Sequence, residues 1–165
     1  MITHTDSFNS NKMISWQEIA EVRLNTNTNH YSLHAVPAFN KGEIITSFGA
    51  ATIQKSATYL TVQTGPETHI TLTPDFLQFV NHSCDPNVFF DTSSMQLICV
   101  KPVLAGDELC FFYPSAEWKM AQPFVCNCGS NNCLKFIDGA AYLNYETLAE
   151  YRLTDFILQQ IKLNP

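Results

Sequence analysis

The sequence predicts a β-rich α+β fold. Three observations carry the prediction: short apolar segments follow one another along most of the chain, turn residues separate them, and one helical stripe closes it. In chain order, residues 1–11 are rich in Thr, Ser, Asn and His and read as a loose tail. Ser15 followed by Glu18 reads as a capping box that opens a short helix over 16–24. A polar Asn/Thr loop follows over 25–29. Strands are expected over 32–36, 43–49, 59–63 and 69–72, with Lys41-Gly42 and Gly65-Pro66 between them. Residues 74–80 suit one or two helical turns. Strands over 95–100 and 108–113 flank the turn Leu104-Ala105-Gly106-Asp107, and residues 122–132 form a cysteine-rich loop. From 145 to 161 apolar residues recur at helical spacing, with no Pro or Gly among them.

The chain has 165 residues and 45% hydrophobic content, enough for a core without staples. Fifteen acidic against nine basic residues leave a net charge of −6. A phosphate-binding surface needs clustered Lys and Arg, so a nucleic-acid partner is not expected, whereas a basic peptide is compatible. No apolar run approaches the roughly 18 residues of a membrane span, and the N-terminus lacks an apolar signal core, so neither membrane nor secretion is expected. A cytoplasmic location is expected, or a nuclear one in a eukaryote or in a host cell. In a reducing compartment the six cysteines read as thiols or metal ligands rather than disulfides.

Cys126, Cys128 and Cys133 place three thiols in a Cys-x-Cys-x4-Cys loop, which can wrap one tetrahedral ion, with Gly129 permitting the turn. A structural zinc takes four ligands. Cys99 and Cys110 lie in apolar strands and read as small buried hydrophobes. Cys84 lies in the polar turn His82-Ser83-Cys84-Asp85-Pro86 and is the chosen fourth ligand.

That turn belongs to the most informative stretch, Asn81-His82-Ser83-Cys84-Asp85-Pro86-Asn87, where side chains that bond their own backbone are bracketed by Phe79-Val80 and Val88-Phe89-Phe90. It resembles the Asn-His-Ser-Cys-x-Pro-Asn motif of SET-domain protein lysine methyltransferases. Gly106-Asp107-Glu108-Leu109-Cys110-Phe111-Phe112-Tyr113 resembles that family's Gly-Glu-Glu-Leu-x-Phe-Asp-Tyr segment. The 126–133 loop is similar to the post-SET zinc loop, and Lys41-Gly42-Glu43-Ile44-Ile45 to the strand entry near the domain start. The resemblance spans roughly residues 30–139, in the family's order. It implies the SET fold of short, β-clip-like sheets with a threaded pseudoknot, followed by a post-SET zinc loop and a C-terminal helix. The implied divisions are 1–29, tail and short helix; 30–118, SET domain; 119–139, zinc loop; and 140–165, helical segment.

The resemblance also implies roles. Asn81, His82 and Tyr113 would contact S-adenosylmethionine, with Tyr31, Ser32 and Leu33 in the segment where the family has Gly-x-Gly-Leu. Tyr113 is the implied catalytic tyrosine and Tyr59 a second one. Phe90, Phe111 and Trp118 would wall the lysine channel, and Cys84, Cys126, Cys128 and Cys133 would hold one structural zinc. The implied activity moves a methyl group to a lysine amine of a protein such as a histone, by a monomer or homodimer. A free lysine, with pKa about 10.4, is neutral only about once in 2,500 molecules at pH 7, so the site must favour the uncharged amine. Phe90 and Phe111 carry no hydroxyl to hold a water, which points to di- or trimethylation. His30 in place of a glycine favours a competing reading, a catalytically silent module that binds a peptide or protein. Both readings require residues 81–84 to lie beside the strand ending at 113, with the Cys84 thiol facing the other three.

Overall fold

A computed structural model describes residues 11–16 and 18–164 of the chain. Of the tail expected over 1–11, residues 1–10 lie outside them, and Asn11 begins the first strand. The first sheet has the order β1 (Asn11–Trp16), β2 (Ala20–Asn25), β3 (His30–Ala35). The helix expected over 16–24 is therefore corrected to strand. Ala20 and Val22 are buried while Glu21 and Arg23 are half-buried, an alternation of period two that outweighs the capping box. The Asn/Thr loop makes the hairpin: Asn25 Oδ1 accepts from the backbone N–H of Asn27 and Thr28, and Asn29 adopts φ 58°.

Strand β4 (Ile44–Ser47) falls within the strand expected over 43–49, and β5 (Gly49–Gln54) is a further strand that was not expected. They enter different sheets. β4 pairs with β10 (Gln96–Cys99), which pairs in turn with β9 (Val88–Asp91); β5 joins β6 (Thr61–Gly65) and β7 (Thr68–Thr73) in the order β5-β7-β6. A 3-10 turn, Asp75–Phe79, leads into the two-residue strand β8 (Asn81–His82). β8 pairs in parallel with β11 (Cys110–Phe111), Cys110 opposite Asn81 and Phe111 opposite His82. Parallel neighbours cannot be joined by a hairpin. Here the chain leaves β8, builds β9 and β10, and returns alongside β8, held by Ser83 N–H to Phe111 O (3.1 Å) and Asn87 N–H to Cys110 O (3.0 Å). β12 (Phe124–Val125) and β13 (Phe136–Ile137) pair around the cysteine loop.

The C-terminal stripe forms two helices, α1 (Tyr145–Leu148) and α2 (Asp155–Leu163), rather than one. Asn144 and Thr154 cap them, accepting from Thr147 N–H (2.8 Å) and Ile157 N–H (3.4 Å). The break releases Tyr151 to stack on Phe112 at 3.6 Å and 7°. The main core joins Leu33, Leu77, Phe90, Leu97 and Leu109; a second holds Phe112, Leu148, Phe156 and Ile157.

Candidate active site and metal centre

A cleft of about 550 Å³ opens between β8, β11, the segment entering β6, and the chain preceding the cysteine loop. Tyr59, Asn81, His82, Phe90, Phe111 and Tyr113 all line it, so most of the sequence-derived channel residues meet in one place. The β8–β11 pair causes this, because it sets the polar turn directly beside the strand that delivers Tyr113.

The walls are aromatic. Phe111 meets Phe90 edge-on at 4.8 Å and Tyr113 at 4.7 Å, and Phe124 lies 6.0 Å from Tyr113. The Tyr113 hydroxyl donates to Val80 O at 3.4 Å, and burial holds its pKa well above the usual phenol range. Its backbone N–H donates to His82 Nδ1 at 3.3 Å. Because that nitrogen must accept, the proton of the neutral ring sits on Nε2, which points at Cys84 Sγ, 3.3 Å away. Burial lowers the His82 pKa to about 4, so the ring is neutral at pH 7. His82 thus bridges the tyrosine and the cysteine cluster. Asn81 Nδ2 gives its hydrogens to Tyr31 O (3.0 Å) and Glu108 Oε1 (2.9 Å), which leaves its amide oxygen to accept.

Other expected residues lie elsewhere. Leu33, expected at the cofactor, is fully buried in the main core, and its carbonyl accepts from Leu109 N–H at 2.8 Å. Ser32 bonds His34 Nε2 at 2.9 Å, and Tyr31 rests on Phe79 at 5.1 Å; neither lines the cleft, although His30 does. Trp118, expected as a channel wall, packs against the second core and does not line the cleft. Tyr59 is 74% exposed, which places it at the mouth of the cleft. Phe112, where the related motif has Asp, is a core residue stacked on Tyr151.

Two lining residues carried no local signal. Phe124 gains its place through the pairing of β12 with β13. Glu117 is 7% exposed and reaches the cleft because Oε1 accepts from Gln63 N–H at 2.9 Å, across 54 residues of sequence.

The four expected thiols converge. The sulfurs of Cys84, Cys126, Cys128 and Cys133 lie within 4.8 Å of one another, with Cys84 and Cys126 4.0 Å apart. A tetrahedral ion with Zn–S bonds of about 2.3 Å sets sulfurs about 3.8 Å apart, so the donor set fits zinc. Burial raises Cys84 to about 12 and Cys126 to about 11. Burial acts the same way on Cys128, but hydrogen bonds led by the Ser130 hydroxyl outweigh it and bring that thiol to about 5. For all four to ionise together in that space, a dication would have to balance them. Gly129, at φ 73°, turns the loop between the second and third ligands. Tyr151 and Asn132 both donate to Cys84 O, at 2.9 and 2.8 Å, and fix the fourth ligand from the far side.

A comparison with protein families matches residues 2–114 to the SET domain. The chain is 42% identical over 128 residues to Methyltransferase flvH of Aspergillus flavus, covering 76% of this chain and 70% of that protein. It is 31% identical over 94 residues to an H3 lysine-36 specific histone-lysine N-methyltransferase of Candida albicans, covering 53% of this chain and 10% of that protein. It is 40% identical over 67 residues to the histone-lysine N-methyltransferase met-2 of Caenorhabditis elegans, covering 34% of this chain and 5% of that protein. The chain thus spans most of the first relative and a tenth or less of these two histone-modifying ones. With the threaded β8–β11 pair and the domain match agreeing, the chain belongs to the SET domain family, among relatives named methyltransferases.

Proposed function

We propose that the chain is an S-adenosylmethionine-dependent methyltransferase acting on the side-chain amine of a lysine-bearing protein or peptide, histones included. The observation that carries this reading is Tyr113, held in an aromatic cleft beside Asn81 and His82. S-adenosylmethionine supplies an electrophilic methyl group on a sulfonium. Nothing among the described residues donates to the Asn81 amide oxygen, so it can accept from the cofactor's amino group, while both Nδ2 hydrogens fix its orientation. Phe90, Phe111 and Tyr113 exclude bulk water and favour the neutral amine. The Tyr113 hydroxyl is aimed by its bond to Val80 O and orients the amine for in-line attack. Cys84, Cys126, Cys128 and Cys133 hold one structural zinc, which fastens the 119–139 segment over the cleft.

The test is methyl transfer from labelled S-adenosylmethionine to histones and a lysine-rich peptide, with Tyr113→Phe as control. Labelled lysine is expected with the wild type, and calorimetry should show cofactor binding. His30 at the cleft wall favours the second reading, a silent module. Absence of both cofactor binding and transfer would select it.

A further inference from the structure

Glu117 stands out among the cleft residues because nothing in the cleft balances it. Its side chain is more than nine-tenths buried, and one carboxylate oxygen takes a single hydrogen bond, from Gln63 N–H at 2.9 Å. The other oxygen has no partner among the described residues. No Lys or Arg lines the cleft. The ion pairs among the described residues, Arg23–Glu21, Lys101–Asp85 and Arg152–Asp91, do not involve it. The other titratable groups lining the cleft are His30, Tyr59, His82, Tyr113, Cys126 and Cys128. A buried carboxylate without a counter-charge is strongly disfavoured, so a cation supplied from outside the chain has an obvious place to go.

We propose that Glu117 is the carboxylate that receives the target amine: it pairs with the incoming ammonium and accepts the proton that must leave before the nitrogen becomes a nucleophile. This rests on the amine-methylating reading above and adds to it an acceptor within the protein. The step is a proton transfer. One N–H bond of the ammonium breaks, its electron pair stays on nitrogen, and an O–H bond forms on the Glu117 carboxylate. The proton then passes to water at the mouth, near the exposed Tyr59. Position supports the amine as the partner. Gln63, which fixes Glu117, lies on β6, whose entry carries the cleft residues Tyr59, Leu60 and Thr61, whereas Asn81 and His82 lie on β8. Burial also pushes the Glu117 pKa up to about 7, which matches the acceptor to a proton that must be gained and lost near neutrality.

The experiment compares wild type, Glu117→Gln and Glu117→Asp. Butylammonium serves as a lysine side-chain probe in calorimetry with S-adenosylhomocysteine present, alongside kcat/KM against pH on a lysine peptide. Expected for Glu117→Gln are at least tenfold weaker butylammonium binding, at least a tenfold lower kcat/KM, and loss of the acidic limb of the pH profile. Its S-adenosylmethionine to S-adenosylhomocysteine affinity ratio should stay unchanged, and Glu117→Asp should recover part of the rate. Wild-type amine binding and an unaltered pH limb in Glu117→Gln would overturn the proposal while leaving methyl transfer intact. So would a changed cofactor ratio with unchanged amine binding, which would make Glu117 a sulfonium partner. A wild type that transfers no methyl group would instead fail the parent reading. Melting of each variant guards against misfolding, since Gln keeps the shape of Glu.

Discussion

Tyr113 separates chemistry from packing better than any other residue of the cleft. Its hydroxyl makes one long bond, 3.4 Å to Val80 O, so Tyr113→Phe should cost less than about 1 kcal/mol of stability. The same change should lower kcat by about a hundredfold or more, the scale of losing one oriented transition-state dipole, with cofactor affinity nearly constant. Steady-state kinetics beside a melting curve checks both. Glu117 gives the opposite pattern. Burial raises its pKa from 4.5 to about 7, against the weaker pull of the Gln63 N–H. Between those values the folded chain binds more protons than the unfolded one, so stability is lost as pH rises through that window. By pH 8 the loss is on the order of 3 kcal/mol, and Glu117→Gln should melt above wild type at pH 8 but not at pH 4. These two residues also mark what the sequence discloses. Tyr113, Asn81, His82 and Cys84 lie in contiguous motifs, where neighbours identify each other. Glu117 acquires its meaning from Gln63, far away in the chain, and no local spacing encodes that contact.

At the scale of elements, turns and short strands were legible and competing signals were not. The hairpin at Asn25 follows from Asn side chains that bond the backbone, and the 104–107 turn from Asp107, whose carboxylate accepts from Leu104 N–H at 2.8 Å. The Ser15–Glu18 spacing is a local capping signal, whereas the alternating burial of Ala20 and Val22 depends on β3 across the hairpin and prevails. The tail helix breaks for a reason beyond its own periodicity: Tyr151 serves Phe112 and Cys84 better outside a helix. The cysteine loop is the element that depends most on a ligand. One zinc per chain is expected by metal analysis. Chelation should abolish methyl transfer and raise protease sensitivity within 119–139, while the β5-β7-β6 sheet stays protected in hydrogen exchange. Gly139 joins this loop to the body. Its φ is 142°, and a Cβ there would come 2.6 Å from Trp118 O, so Gly139→Ala should destabilise by about 2 kcal/mol or more, read by denaturant titration.

At the scale of the whole molecule, the main core, the second core and a smaller cluster at the cysteine loop surround the β8–β11 pair. The residue after Phe111 turns into the second core while the next faces the cleft. That alternation explains why Phe112 and Tyr113 serve different structures although they are adjacent. The charge is distributed to suit such a molecule: nine Lys and Arg against fifteen Asp and Glu leave a net −6, while the cleft itself carries a buried carboxylate and no cationic side chain among the described residues. A field of one sign raises the encounter rate with a substrate of the other and is screened over a Debye length of about 10 Å at 0.1 M salt. The attraction should therefore act on a lysine-rich peptide more than on the cofactor, whose net charge is small. Raising salt from about 0.05 to about 0.3 M should lower kcat/KM for such a peptide several-fold, with kcat at saturation changing little. A single lysine flanked by neutral residues should show a much shallower dependence. Equal salt slopes for the two peptides would mean that recognition is made inside the cleft, and that the acidic surface plays no part in delivering the substrate.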